Sequence, residues 1–286
     1  MNIIILDNDE CLGYFGLINT AYHTMTHYFK KNDIKLNTEL GNKFKDIFTE
    51  MSVELLELGY ARPTLEELFK SIREFKEEGL IDYLIMMTSA DRFYDRSHIE
   101  YSDWLIILRD IFEKFSNKKN PELAHIPLYD YDHSCRSDEE KPVEMNGRTQ
   151  KRIETILDKL KISGDDIKSI FFFDDAIQNI RWDSPKDIKK LIKVGVDCFY
   201  AMPNFLIFKQ TIDKYSPKFV ELGYKRFMND ILDNYKDESK ELKEYGFEFD
   251  KNPNSTIPFI HEVQDEGYPK DEPALVQRIK ESIEKL

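Results

Sequence analysis

The sequence predicts an α/β fold built on a doubly wound parallel sheet. Three observations carry this. Short apolar runs at residues 3–6, 80–87 and 169–173 suit strands buried on both faces, as in parallel sheets. Between them lie longer stretches in which apolar residues recur at helical spacing. Three of the runs end in polar residues capable of chemistry, Asp7-Asn8-Asp9, Thr88-Ser89 and Asp174-Asp175, and open parallel sheets bind ligands beyond the carboxyl ends of their strands.

The elements follow in order. The β-branched run 3–6 is the first strand and stops at Asp7. Residues 14–30 form one helix, and Phe44, Phe48, Met51, Leu55 and Leu58 line the apolar face of another. Thr64 and Glu67 make a capping-box pattern that opens a third helix, with Leu65, Leu68, Phe69, Ile72 and Phe75 on its buried face and Gly79 at its end. Residues 80–87 are the second strand. Trp104, Leu108, Ile111 and Phe115 mark a helix, 126–131 a third strand, and the polar stretch 132–148 a loop. Ile153, Ile156, Leu157 and Leu160 mark a helix that begins near Lys151. Residues 169–173 are the fourth strand, and 193–200 the fifth after a short helix at 186–192. This alternation gives a Rossmann-like, doubly wound α/β sheet. Beyond Pro203 the chain is charged, with helix-like pieces, a solvated charged stretch at 236–244 and a Pro/Asn-rich stretch at 252–258.

Composition sets the class. The chain has 286 residues, enough for one enlarged domain or a core with an insertion, and its 41% hydrophobic and 33% charged residues fit a globular protein rather than a disordered one. The net charge of −13 argues against nucleic acids and anionic membranes as partners, because both are held by clustered Lys and Arg. Cys11, Cys135 and Cys198 are far apart and form no CxxC pair, so a reducing, cytoplasmic setting is expected, the nucleus included. The four-residue apolar run at the start lacks the basic region and cleavage site of a signal peptide, and no apolar stretch is long enough for a membrane span.

The strand ends define the chemistry. Asp7 and Asp9, two apart where the chain begins to turn, can face one pocket; carboxylates so close repel unless a cation joins them, and hard oxygen ligands select magnesium. Such a site suits attack of a carboxylate on a phosphate ester. Thr88 supplies a donor for the phosphoryl oxygens, Lys151 a fixed cation, and Asp9 a proton for the leaving group.

These residues also carry a resemblance. Leu6-Asp7-Asn8-Asp9-Glu10-Cys11-Leu12 resembles the first motif of the haloacid dehalogenase (HAD) superfamily of phosphatases, Thr88-Ser89-Ala90 its second, Lys151 its third and Phe172-Phe173-Asp174-Asp175 its fourth. Arg62-Pro63 and Thr88-Ser89-Ala90 are most similar to the subgroup of carboxy-terminal-domain phosphatases of RNA polymerase. The resemblance covers roughly 1–12 and 60–205. It implies an aspartyl-phosphate intermediate on Asp7 and a magnesium ion held by Asp7, the main-chain carbonyl of Asp9, and Asp174 or Asp175, with Asp175 the better candidate for direct ligation. It also implies phosphate contacts from Thr88, Ser89 and Lys151.

The chain departs from the pattern in three places. Cys11 stands where Thr or Val is usual and supports the loop; Asn8 is polar where an apolar residue is common; and 13–59 reads as helical where the polymerase-directed enzymes insert β-structure. The expected organisation is therefore a catalytic core at 1–12 and 60–203, a helical cap at 13–59 and a helical C-terminal extension at 204–286. A helical cap favours a small phosphorylated metabolite or nucleotide as substrate. The alternatives are a phosphoprotein phosphatase and a non-catalytic scaffold that keeps the fold. Other polar residues have plainer readings: Lys159 and Lys161 recede along the helix, Arg148 and Arg152 are solvated, His23 and His27 lack a third ligand, and His133 and Cys135 are incidental.

Overall fold

The chain, seen in a computed structural model, is described for residues 1–8, 11–13, 15–89, 100–101, 103–135, 144–145, 148–174, 177–195 and 205–234 and for positions 277 and 281. Five strands form an all-parallel central sheet: β1 (Asn2–Leu6), β2 (Tyr83–Thr88), β3 (Tyr131–Ser134), β4 (Ser169–Asp174) and β5 (Leu191–Gly195). Their order is β3-β2-β1-β4-β5. The chain builds outward from β1 in one direction and then in the other, so β1 and β4 flank the point where strand order reverses. That is where open α/β sheets form their binding crevice. In register, Leu6 lies beside Met86 on one side and Phe173 on the other, which brings the residues after β1 level with the ends of β2 and β4.

Side chains alternate across the sheet and fill two cores, the reason these strands read as continuous apolar runs. Ile4, Leu6, Leu84, Met86, Phe171 and Phe173 face a layer built from α1 (Gly16–Lys31), α2 (Glu39–Leu55), α3 (Leu65–Glu77), α4 (Trp104–Lys119) and α6 (Phe205–Glu221). Ile3, Ile5, Ile85, Met87, Ile170 and Phe172 face α5 (Ile153–Leu160), with Ile180 and Trp182 beside it. Helices on both faces make the sheet doubly wound, as expected.

Most of the described part of 13–59 is helical. Its apolar faces join the sheet's own core: Ile18, Tyr22, Met25 and Phe29 of α1 and Phe44, Phe48 and Met51 of α2 are buried in one cluster with Leu6 and Phe173. Thr38 caps α2 by accepting from the Gly41 N–H at 3.1 Å. The start of the C-terminal extension is structural as well. Phe208, Ile212, Tyr215 and Phe219 of α6 enter the same core at helical spacing, and Lys214 and Lys218 pair with Glu54 and Glu50 of α2.

Several boundaries differ from expectation. The third strand is Tyr131–Ser134: it overlaps the expected strand only at Tyr131 and runs on into the stretch expected to be a loop, whereas 126–130 precede it. Its Asp132 is buried and paired with Arg109 of α4 at 3.1 Å, and His133 and Ser134 are buried too, so polarity hid the strand. The second strand starts at Tyr83 rather than Leu80, which is exposed. Thr64 occupies the cap position of α3, but its side chain makes no capping bond. Leu58 is 44% exposed because α2 gives way at residue 56 to a π-helical turn, Leu56–Tyr60, in which Gly59 takes φ 110°. The short helix at 186–192 reduces to a 3₁₀ turn, Ile188–Lys190, and the fifth strand begins at Leu191. Gly79 does end α3: it takes φ 71°, and the Leu80 N–H donates to the Phe75 carbonyl at 2.9 Å. Residues 196–200, 236–244 and 252–258 lie outside the described residues.

Candidate active site

Asp7 follows β1 directly. Its N–H donates to the Phe173 carbonyl of β4 at 3.0 Å, which continues the sheet ladder by one residue and fixes the carboxylate at the strand end. Asp174 is the last residue of β4 and fully buried. Lys151 lies just before α5, not at its head: Lys151–Arg152 form a two-residue parallel strand with Ile180–Arg181. This pairing holds the lysine backbone while its side chain crosses to the strand ends.

There the ammonium meets both carboxylates. Lys151 Nζ is 2.8 Å from Asp7 Oδ1 and 2.6 Å from Asp174 Oδ2, with side-chain exposures of 4% for Lys151, 7% for Asp7 and 0% for Asp174. Burial alone would push the Lys151 pKa down. The charges of Asp7 and Asp174, and hydrogen bonds to both, outweigh it and hold the ammonium well above the ordinary lysine value. Two buried carboxylates thus share one buried ammonium.

The turn after Asp7 is closely held. The Leu12 N–H donates to the Asn8 carbonyl at 2.8 Å. Arg62, 4% exposed, donates from Nε to the Cys11 carbonyl at 2.8 Å and from its backbone N–H to the Leu12 carbonyl at 2.9 Å. Gly13 forms an antiparallel bridge with Ala61, at a spot where an added Cβ would sit 2.5 Å from the Tyr60 carbonyl oxygen. Cys11 is buried, with Sγ 3.9 Å from Asp7 Oδ2, in keeping with a supporting role. Asn8 is fully buried, and its amide has no hydrogen-bond partner among the described residues.

The structure thus brings together Asp7, Lys151 and Asp174. Thr88 is the buried last residue of β2, on the strand next to β1, and its carbonyl accepts from the Cys135 N–H at 3.0 Å; half-buried Ser89 follows it. Asp9 and Asp175 lie outside the described residues. Lys159 and Lys161 are exposed on and after α5, Arg152 faces Asp183 at 3.3 Å, and His23 and His27 are exposed on α1. His133 lies within β3 rather than in a loop, and Cys135 is in the turn directly after it; both are buried. Arg62 was legible in sequence only as part of an Arg-Pro pair. A cleft of about 460 Å³ lies elsewhere, between the end of α1 and residues 223–234, and contains none of the three clustered residues.

Comparison of the chain with family models, with curated proteins and with solved structures yields no match. Among the described residues, no group of three or more His, Cys, Asp or Glu is arranged to hold a metal ion, and no helix is long and apolar enough to cross a membrane.

Proposed function

We propose that this protein is a magnesium-dependent phosphomonoesterase that works through an aspartyl phosphate on Asp7. The observation that carries the reading is the buried Asp7–Lys151–Asp174 cluster at the point where strand order reverses. Its chemistry fits a magnesium ion, because the carboxylates are hard oxygen donors. Asp7, Asp174 and, by sequence, Asp9 and Asp175 would hold the ion. When bound, it supplies charge neutralisation for a phosphate dianion and Lewis acidity at its oxygens.

The chain's own groups do the rest. The Asp7 carboxylate attacks phosphorus as the ester P–O bond breaks, and Asp9 gives the departing oxygen its proton. Asp9 then takes a proton from water, which attacks phosphorus, releases phosphate and returns Asp7 to a carboxylate. Lys151 remains an ammonium throughout and offsets charge on Asp7 and the phosphoryl group. Thr88 and Ser89 are assigned as donors to the phosphoryl oxygens, a role suited to the end of β2. Purified protein is expected to hydrolyse p-nitrophenyl phosphate only with magnesium, and Asp7→Asn to abolish turnover while the protein stays folded. Full turnover in that variant would remove the basis for this reading.

A small phosphorylated metabolite or nucleotide is the favoured substrate if 13–59 forms a helical cap over the site. The burial of α1 and α2 in the sheet's own core favours a second reading, a phosphoprotein phosphatase, on the same chemistry. A panel of nucleotides, sugar phosphates and phosphopeptides separates the two by kcat/KM.

A further inference from the structure

We propose that the cleft between the end of α1 and residues 223–234 binds a small phosphate-bearing molecule; the site is independent of the phosphatase reading above. Its volume of about 460 Å³ falls in the range of small-molecule sites. The fold prepares both walls. α6 ends at Glu221, and Gly223 takes φ 101°, a conformation that suits glycine; the Tyr224 N–H then returns to the Phe219 carbonyl at 2.9 Å. This turn lays Tyr224 on Tyr28 of α1, with ring centroids 3.8 Å apart and planes 12° apart. Tyr224 is buried, and its hydroxyl lies 3.3 Å from the Thr24 carbonyl and 3.2 Å from Asp230 Oδ2. Asn234 donates to Thr24 Oγ1 at 2.6 Å. The stacked rings and these bonds hold the walls before any ligand arrives, which lowers the cost of binding.

Charge at the rim sets the ligand class. Lys31, Lys225 and His27 are exposed along the cleft, and none of them makes an ion pair or a side-chain hydrogen bond among the described residues. The Tyr28 hydroxyl borders Gly223 and adds a neutral donor. The two carboxylates of the lining are offset, because Arg226 lies 3.6 Å from Asp230 and 3.9 Å from Asp233. Three cations, Lys31, Lys225 and Arg226, thus stand against two carboxylates, and the cleft is locally cationic in a chain of net charge −13. A helix C-terminus ordinarily repels anions. Here the last carbonyls of α1 already have donors: the Asn32 N–H and side-chain amide on Tyr28 at 3.1 and 2.8 Å, the Ile34 N–H on Phe29 at 2.9 Å and the Asp33 N–H on Lys30 at 3.3 Å. Lys31 from α1 and Lys225 from the facing turn act as two point charges, which suit the spread oxygens of a phosphate better than the planar fork of a carboxylate. The tyrosine pair offers an apolar wall to the ligand's organic part. α1 spans 16 residues, about 24 Å, and the cleft lies at the end away from the Asp7 turn, so its ligand is not the molecule on which the strand-end cluster acts.

The test is calorimetric titration of the full chain in EDTA with phenylphosphonate, whose C–P bond resists hydrolysis, and separately with inorganic phosphate. Wild type is expected to bind phenylphosphonate saturably at one site, and at least about threefold more tightly than inorganic phosphate, because the ring gains the tyrosine wall. Lys31→Gln combined with Lys225→Gln is expected to weaken phenylphosphonate binding by about tenfold or more. Lys161→Gln combined with Lys189→Gln makes the same charge change at exposed lysines outside the cleft lining. That pair, and Asp7→Asn alone, should leave the affinity within about twofold, since screened charges at a distance contribute little. Absence of saturable binding, equal affinity for the two probes, an equal fall in both lysine pairs, or loss of binding in Asp7→Asn overturns the proposal.

Discussion

Lys151 donates to Asp174 at 2.6 Å, and neither side chain has more than 4% of its surface exposed. The same ammonium sits 2.8 Å from Asp7, so one buried cation holds two buried carboxylates from adjacent strands. Coulomb attraction at such distances is strong only because water is excluded, and exclusion makes each member costly without the others.

Removing the shared cation should therefore be severe and partly reversible. Lys151→Met leaves Asp7 and Asp174 facing each other and is expected to cost ~3–5 kcal/mol in magnesium-free denaturant unfolding. Adding Asp7→Asn should recover part of that loss, because one of the two like charges is gone. Strict additivity in this double-mutant cycle would contradict a shared ion cluster.

The pH dependence has a definite sign. The pKa of Lys151 is raised in the folded protein above its ordinary 10.5. Its pairing thus stabilises fully while the unfolded chain is also protonated, and is lost as pH climbs from 10.5 through the folded value. The unfolding free-energy gap between wild type and Lys151→Met should stay level between about pH 7 and pH 9 and narrow in stronger alkali. A gap that narrows below pH 9 would mean that Lys151 is not held by its partners.

A second buried cation gives an asymmetric prediction. Arg73 of α3 is fully buried and donates to Glu113 of α4, while the other oxygen of Glu113 accepts from the Leu128 N–H at 2.9 Å. Glu113→Ala strands a buried guanidinium and frees the Leu128 N–H, and should cost ~3–5 kcal/mol. Arg73→Met strands only a carboxylate that is 31% exposed, and should cost less. Equal losses in urea titrations would contradict the burial difference.

Asn8 carries a penalty that substitution can remove. Its amide is fully buried without a partner among the described residues. Asn8→Leu, similar in size, should raise unfolding free energy by about 1–2 kcal/mol. A loss of stability would show that an ordered water satisfies the amide.

What could be read in the sequence followed from burial. β1 and β4 are enclosed on both faces, so 3–6 and 169–173 are apolar throughout and unmistakable, and the acids that end them mark the site. β3 sits at the sheet edge and buries Asp132, His133 and Ser134, so hydropathy placed the strand too early. Lys151 was distinguished from Lys159 and Lys161 by its place along the chain; it meets the strand-end carboxylates of Asp7 and Asp174, whereas Lys159 and Lys161 are exposed. Arg62 could not be assigned a contact, because its bond to Cys11 depends on how distant segments pack rather than on any local pattern.

The central claim is that Asp7 accepts the phosphoryl group. Borohydride reduces an acyl phosphate and converts the aspartate that bears it to homoserine. Protein quenched during turnover with magnesium and substrate, reduced and analysed by peptide mass spectrometry should carry homoserine at position 7 and aspartate at position 9. Sustained turnover with position 7 unmodified, or homoserine at another aspartate, would contradict the account.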